Sequence, residues 1–87
     1  MELPSTQNSV TEVLVERLMT IHRVQASFLK IMGEQPKRFR RGDIQRVICS
    51  DVGIPFIGLN KRLINEALVE MGYVKITVDG IRYYRKG

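Results

Sequence analysis

Apolar positions over the first third of the chain recur at helical spacing. At about 100° per residue, Val10, Val13, Leu14, Leu18, Ile21, Val24, Phe28, Ile31 and Met32 form one stripe. Val15, Met19, His22, Ala26 and Leu29 form a second stripe beside it at 4-3-4-3 spacing. Glu12, Glu16, Thr20, Arg23, Ser27 and Lys30 fill the narrow polar remainder. Ser9 and Glu12 read as a capping box that opens this helix, and Gly33 as its stop. Residues 1–8 then form a flexible leader ahead of a single domain over 9–87.

A basic connector, residues 34–41, carries Phe39 in a short extended piece. Ile44, Val47, Ile48 and Val52 predict a second helix from about Asp43 to Val52, ended by Gly53. A turn at Ile54-Pro55 precedes a third helix over about Ile57–Met71. Its start is Asn60 as N-cap, with Leu59 and Ile64 as a hydrophobic staple, or Pro55 in the first helical position. Leu59, Leu63, Ile64, Ala67, Leu68 and Met71 lie on one side. Gly58, Lys61, Arg62, Asn65 and Val69 lie on the other. Gly72 closes this helix.

Two alternating runs, 73–78 and 81–86, flank Asp79-Gly80 and predict a β-hairpin with a two-residue type I′ turn. That turn sets Val78 opposite Ile81 and Lys75 opposite Tyr84. Period two then gives an apolar face, Val74, Ile76, Val78, Ile81 and Tyr83, expected to meet the core. The opposite, basic face holds Lys75, Thr77, Arg82, Tyr84 and Lys86. Phe39 is expected as a core plug.

This order, helices joined by a short turn and followed by a hairpin, is a helix-turn-helix with a strand pair behind it. The passage Ala67-Leu68-Val69-Glu70-Met71-Gly72-Tyr73-Val74, followed by Asp79-Gly80 and Arg82-Tyr83-Tyr84, resembles the winged-helix family over about residues 10–86. A weaker similarity is to the C-terminal winged-helix domains of phage- and plasmid-type primase–helicases, which often end in a comparable glycine-aromatic, strand, Gly-x-Arg-aromatic pattern. The resemblance implies an α+β winged helix-turn-helix, three helices followed by a C-terminal β-hairpin wing. It also implies binding of double-stranded DNA, with the third helix in the major groove and the wing on the backbone. Carried over by position, Gly58, Lys61, Arg62 and Asn65 face the groove. Lys75, Thr77, Arg82, Tyr84 and Lys86 belong to the wing surface.

Charge points the same way. The net charge of the 87 residues is +5, and all of it falls after residue 33. A basic back half suits a polyanion. Lys37, Arg38, Arg40 and Arg41 sit just ahead of the second helix, whose N-terminus is itself an anion site. The plainer reading of each cationic group is a solvated helix face or loop. Glu66 and Glu70 count against groove contact on the third helix.

The first helix is too widely apolar for one small core. Its second stripe is expected as a homodimer seam, or as a surface over which the leader folds. A rival reading makes the whole chain a protein-interaction module, docking through that helix in a larger assembly. RNA or single-strand binding is a third reading, disfavoured by the shortage of exposed aromatics.

Other chemistry is thin. One cysteine, Cys49, and one histidine, His22, occur without partners at ligand or catalytic spacing. No enzymatic activity, metal or cofactor is expected. A single cysteine and the lack of a signal-peptide pattern suit a cytoplasmic, nucleoid or nuclear setting. No apolar run is long enough for a bilayer. Transcription regulation, replication and recombination in a phage or mobile element all remain open roles.

Overall fold

The computed structural model describes residues 5–33 and 37–87, with side chains from residue 12 onward. It is an α+β arrangement of three helices and a three-stranded antiparallel sheet. The elements run α1 (Ser5–Met32), β1 (Phe39–Arg40), α2 (Arg41–Val52), α3 (Gly58–Glu70), β2 (Tyr73–Val78) and β3 (Ile81–Lys86).

Helix α1 begins at Ser5, so Ser9 lies inside the helix rather than capping it. The expected leader over residues 1–8 is therefore shortened; residues 1–4 lie outside the described part. Polar residues Thr6, Gln7 and Asn8 contain no helix breaker, and the helix runs back through them. Gly33 ends α1 at φ 62°, with its amide bonded to Leu29 O at 2.8 Å. Gly53 ends α2 at φ 84°, where left-handed backbone favours glycine.

Helix α3 starts at Gly58, after Ile57 in an extended conformation with no side-chain cap. Neither Asn60 nor Pro55 starts it. Asn60 instead donates from Nδ2 to Pro55 O at 2.7 Å, which ties the turn to the helix's first residues.

The hairpin register is Val78↔Ile81, Thr77↔Arg82, Ile76↔Tyr83 and Lys75↔Tyr84. Asp79 and Gly80 both take positive φ, 53° and 78°, as a type I′ turn requires. β1 adds a third strand on the far side of β3, pairing Phe39 with Tyr84 and Arg40 with Tyr83.

The sheet meets the helices with the face opposite to the one expected. Tyr73 and Tyr84 are buried, whereas Val74 and Ile81 are exposed and Ile76, Val78 and Tyr83 are half-buried. The deciding factor is where the bulk sits. Two tyrosine rings at the helix-proximal end bury more area than the scattered Val and Ile side chains opposite them. Phe28, Phe39 and Tyr73 form an aromatic cluster with centroids 5.0–5.7 Å apart, and Phe39 lies 5.9 Å from Tyr84. Phe39 thus packs against the core.

Around this cluster the core gathers Ile21 and Val24 of α1, Ile44, Ile48 and Cys49 of α2, and Leu63, Ile64, Ala67 and Leu68 of α3. Among the described residues of the first α1 stripe, Ile21, Val24, Phe28 and Met32 take part. Val13, Leu14 and Leu18 are exposed, as is Ile31. Val47 and Leu59, expected on inner faces, are exposed too. No described helix is long and apolar enough to cross a membrane.

Candidate nucleic-acid interface

Three elements bring cations to one hollow. The first residue of α2, Arg41, the first turn of α3, Lys61, and the turn-proximal end of β3, Arg82, line a cleft of about 250 Å³ with Gly42, Gln45, Phe56 and Asn65. None of the described residues lining it is acidic. Because β1 leads straight into α2, Arg41 leaves the sheet at a helix N-terminus, where backbone N–H groups lack intrahelical partners. Arg40, the N-cap, makes no side-chain cap bond, so these amides receive no anionic cap from it. The Nε of Arg41 is buried and has no hydrogen-bond partner. An anion in the cleft would meet two guanidinium groups and an ammonium, with the positive end of the α2 dipole behind them, offset in part by Asp43 in the first turn.

The cleft floor is built from polar groups that satisfy one another. Gln45 Nε2 donates to Tyr84 Oη at 2.8 Å and to Asn65 Oδ1 at 3.1 Å, and the Tyr84 hydroxyl donates to the same Asn65 oxygen. Burial pushes the Tyr84 phenol up to about 12, against the opposing pull of the Gln45 hydrogen bond and the nearby Arg41 charge. It stays a neutral donor at physiological pH.

At the cleft edge, Phe56 lies under two cations. Lys61 Nζ is 4.4 Å and the Arg46 guanidinium 5.0 Å from its ring centroid. Such stacking holds long side chains in place without neutralising them. The positive field of Lys61 also lowers the Cys49 thiol pKa, but burial outweighs it and the net shift is upward.

The structure distributes the expected site residues as follows. Lys61 and Arg82 line the cleft, whereas Arg62 and Gly58 are exposed on α3 outside its lining. Lys75, Thr77 and Lys86 are exposed on the Arg82 face of the hairpin, and Lys86 sits 5.0 Å over the Tyr73 ring.

Tyr84 is corrected: it is fully buried and unable to reach a phosphate or sugar. Asn65 is corrected in part. Its carbonyl oxygen is committed to Tyr84 and Gln45, while a bidentate adenine contact needs both amide atoms free.

The basic run also divides. Arg41 enters the cleft, whereas Arg40 pairs with Tyr83 and Arg38 lies 4.5 Å over the Tyr83 ring on the other side of the sheet. Lys37 is exposed.

Gln45, Arg46 and Phe56 were not anticipated. The available signal for Gln45 was its position one helical turn from both Arg41 and Cys49, on the inward arc of α2.

Of the expected dimer seam, Val15, Met19, His22, Ala26 and Leu29 are all exposed. Among the described residues no cluster of three or more His, Cys, Asp or Glu side chains has metal-holding geometry. No protein-family model, curated protein or solved structure matches this chain.

Proposed function

We propose that this protein is a winged-helix protein that binds double-stranded DNA, with α3 as recognition helix and the β2–β3 hairpin as wing. The observation that carries the reading is the convergence of Arg41, Lys61 and Arg82, from three separate elements, on one cleft with no acidic residue among its described lining. Sequence-distant cations gathered in a concavity focus positive potential, which a phosphodiester backbone matches. Arg62, exposed on the same helix, is free to reach guanine O6 and N7 in the major groove. Lys75 and Lys86 extend the positive surface along the wing. The biological setting is regulation of transcription, or an accessory role in replication or recombination of a mobile element.

The test is titration of a labelled duplex with wild type and two variants. Arg41→Ala/Lys61→Ala/Arg82→Ala should weaken binding by about 100-fold or more at low salt, given typical charge-assisted contacts. Arg38→Ala/Arg40→Ala, on the other sheet face, should weaken it by less than about threefold. Absence of duplex binding by the wild type at low salt, or equal losses from both variants, overturns the reading. Selection from a random duplex pool then reads the site sequence.

A further inference from the structure

The exposed half of α1 has a covering surface of the right chemistry in a second copy of itself. From Glu12 to Met19 every residue is exposed, and Val13, Leu14, Val15, Leu18 and Met19 are 49–63% open. On the side of α1 away from the core, Val15, Leu18, Met19, His22, Ala26 and Leu29 make a continuous strip. A solitary exposed leucine needs no explanation, but a strip of this length does.

Charge decides the occupant and its direction. One flank of the strip carries Glu12 and Glu16 toward the helix start and Arg23 toward its end, with Lys30 on the same flank held by Asp51 of its own chain. The other flank carries Leu14 and Gln25, without charge. When two such helices pack antiparallel, like flanks face each other with their order reversed. Acids of one copy then meet bases of the other. Parallel packing sets the charged flank against the uncharged one and gains nothing.

Aligning Glu16 with the partner's Arg23 puts the two-fold axis at Met19 and Thr20. Val15 then sits between the partner's His22 and the partner's Ala26. At this point α1 has a shallow hollow of about 250 Å³ lined by Glu16, Met19, Thr20 and Arg23, open to receive a side chain. Two ion pairs, Arg17–Glu66 and Lys30–Asp51, lock α1 to its own body and leave Arg23 without a salt bridge among the described residues.

We infer that the protein self-associates as an antiparallel dimer through α1, with Met19 at the axis and Glu16 paired to the partner's Arg23. The inference does not depend on DNA binding, and its test contains no DNA.

Sedimentation equilibrium at low salt should give a dimer at micromolar concentration. Met19→Glu should give a monomer with unchanged circular dichroism, since Met19 touches no core. Glu16→Arg and Arg23→Glu should each raise the dimer dissociation constant about tenfold, because each reversal acts at two symmetric contacts. The double variant Glu16→Arg/Arg23→Glu should return to within about threefold of wild type. Residues 16 and 23 are two turns apart on one helix, too far for direct contact within a chain, so rescue reports pairing between copies.

A monomeric wild type at about 100 μM overturns the inference. So does a dimer that survives Met19→Glu, or one whose charge reversals are not rescued in the double variant, as a parallel pair or another surface would give.

Discussion

Burying the Tyr84 hydroxyl without a partner would cost about 1–3 kcal/mol, and Gln45 and Asn65 remove that cost by closing a three-membered hydrogen-bond ring under the cleft. The same burial raises the phenol to about 12, above its ordinary value near 10. The folded state thus holds this proton more tightly than the unfolded state. Its stabilising contribution is complete below about pH 10 and is lost as pH rises from about 10 toward 12. Tyr84→Phe should remove the late step from the phenolate absorbance titration and flatten stability across that window. It should also cost about 1–2 kcal/mol at neutral pH by removing the two hydrogen bonds through the Tyr84 hydroxyl, leaving Gln45 and Asn65 only their bond to each other. A Tyr84→Phe protein whose three-tyrosine titration is simply scaled to two, with no late step lost, contradicts this. Adjacent residues Tyr83 and Tyr84 point to opposite faces, and alternation separates them without saying which goes inward. With the bulk of Tyr73 and Tyr84 turned inward, the Tyr84 hydroxyl meets Gln45, whose inward position is set by how α2 docks and is not visible in local pattern. Helical periodicity placed Lys61 on an outer face, whereas Arg82 shares the Tyr73 and Tyr84 face that meets the helices, and the docking of hairpin on helices brings both to one cleft.

At the scale of elements, the parts set by short-range chemistry were legible. Asp79-Gly80 determined the hairpin register, and glycines at 33, 53 and 72 marked the three helix ends because each backbone turns left-handed there. Helix starts were less legible. α2 and α3 begin without side-chain caps, so their first residues are set by tertiary contacts and by chain entering from strand or turn. The C-terminal stop of α2 also matters for the interface, because Ile54 and Pro55 carry the chain across to Phe56, the ring beneath Lys61 and Arg46. Gly53 holds that exit at φ 84°, with its amide bonded to Cys49 O at 2.9 Å. A Cβ there meets no neighbouring atom, so the cost of Gly53→Ala is conformational rather than steric. Urea denaturation should show a loss of about 1 kcal/mol with an unchanged m-value. A neutral or stabilising result would mean that the turn does not hold this backbone.

The whole molecule is longer than its chain length predicts. A compact domain of this size has a radius of gyration near 12 Å, whereas this one has 15.3 Å and extents of 58 × 26 × 23 Å. A helix of 28 residues spans about 42 Å, so α1 reaches well past the body it packs on. The overhang is close to charge-neutral, while the body carries the cationic cleft; on the proposed readings, self-association through α1 and DNA contact use different surfaces of the molecule. This separation gives a measurement that links them. Each phosphate neutralised contributes about −0.9 to the slope of log affinity against log salt. With five to eight contacts per copy, a single body bound to duplex should show a slope of about −4.5 to −7. Two bodies held on one duplex through α1 should roughly double it. Met19→Glu leaves every cleft residue in place, so it should halve the slope and keep the per-copy contacts. Removing Arg41, Lys61 and Arg82 should lower the slope in the dimer without changing its mass. If Met19→Glu abolishes the dimer but the slope stays at its wild-type value, only one body of each dimer touches DNA, and the second cleft faces something else.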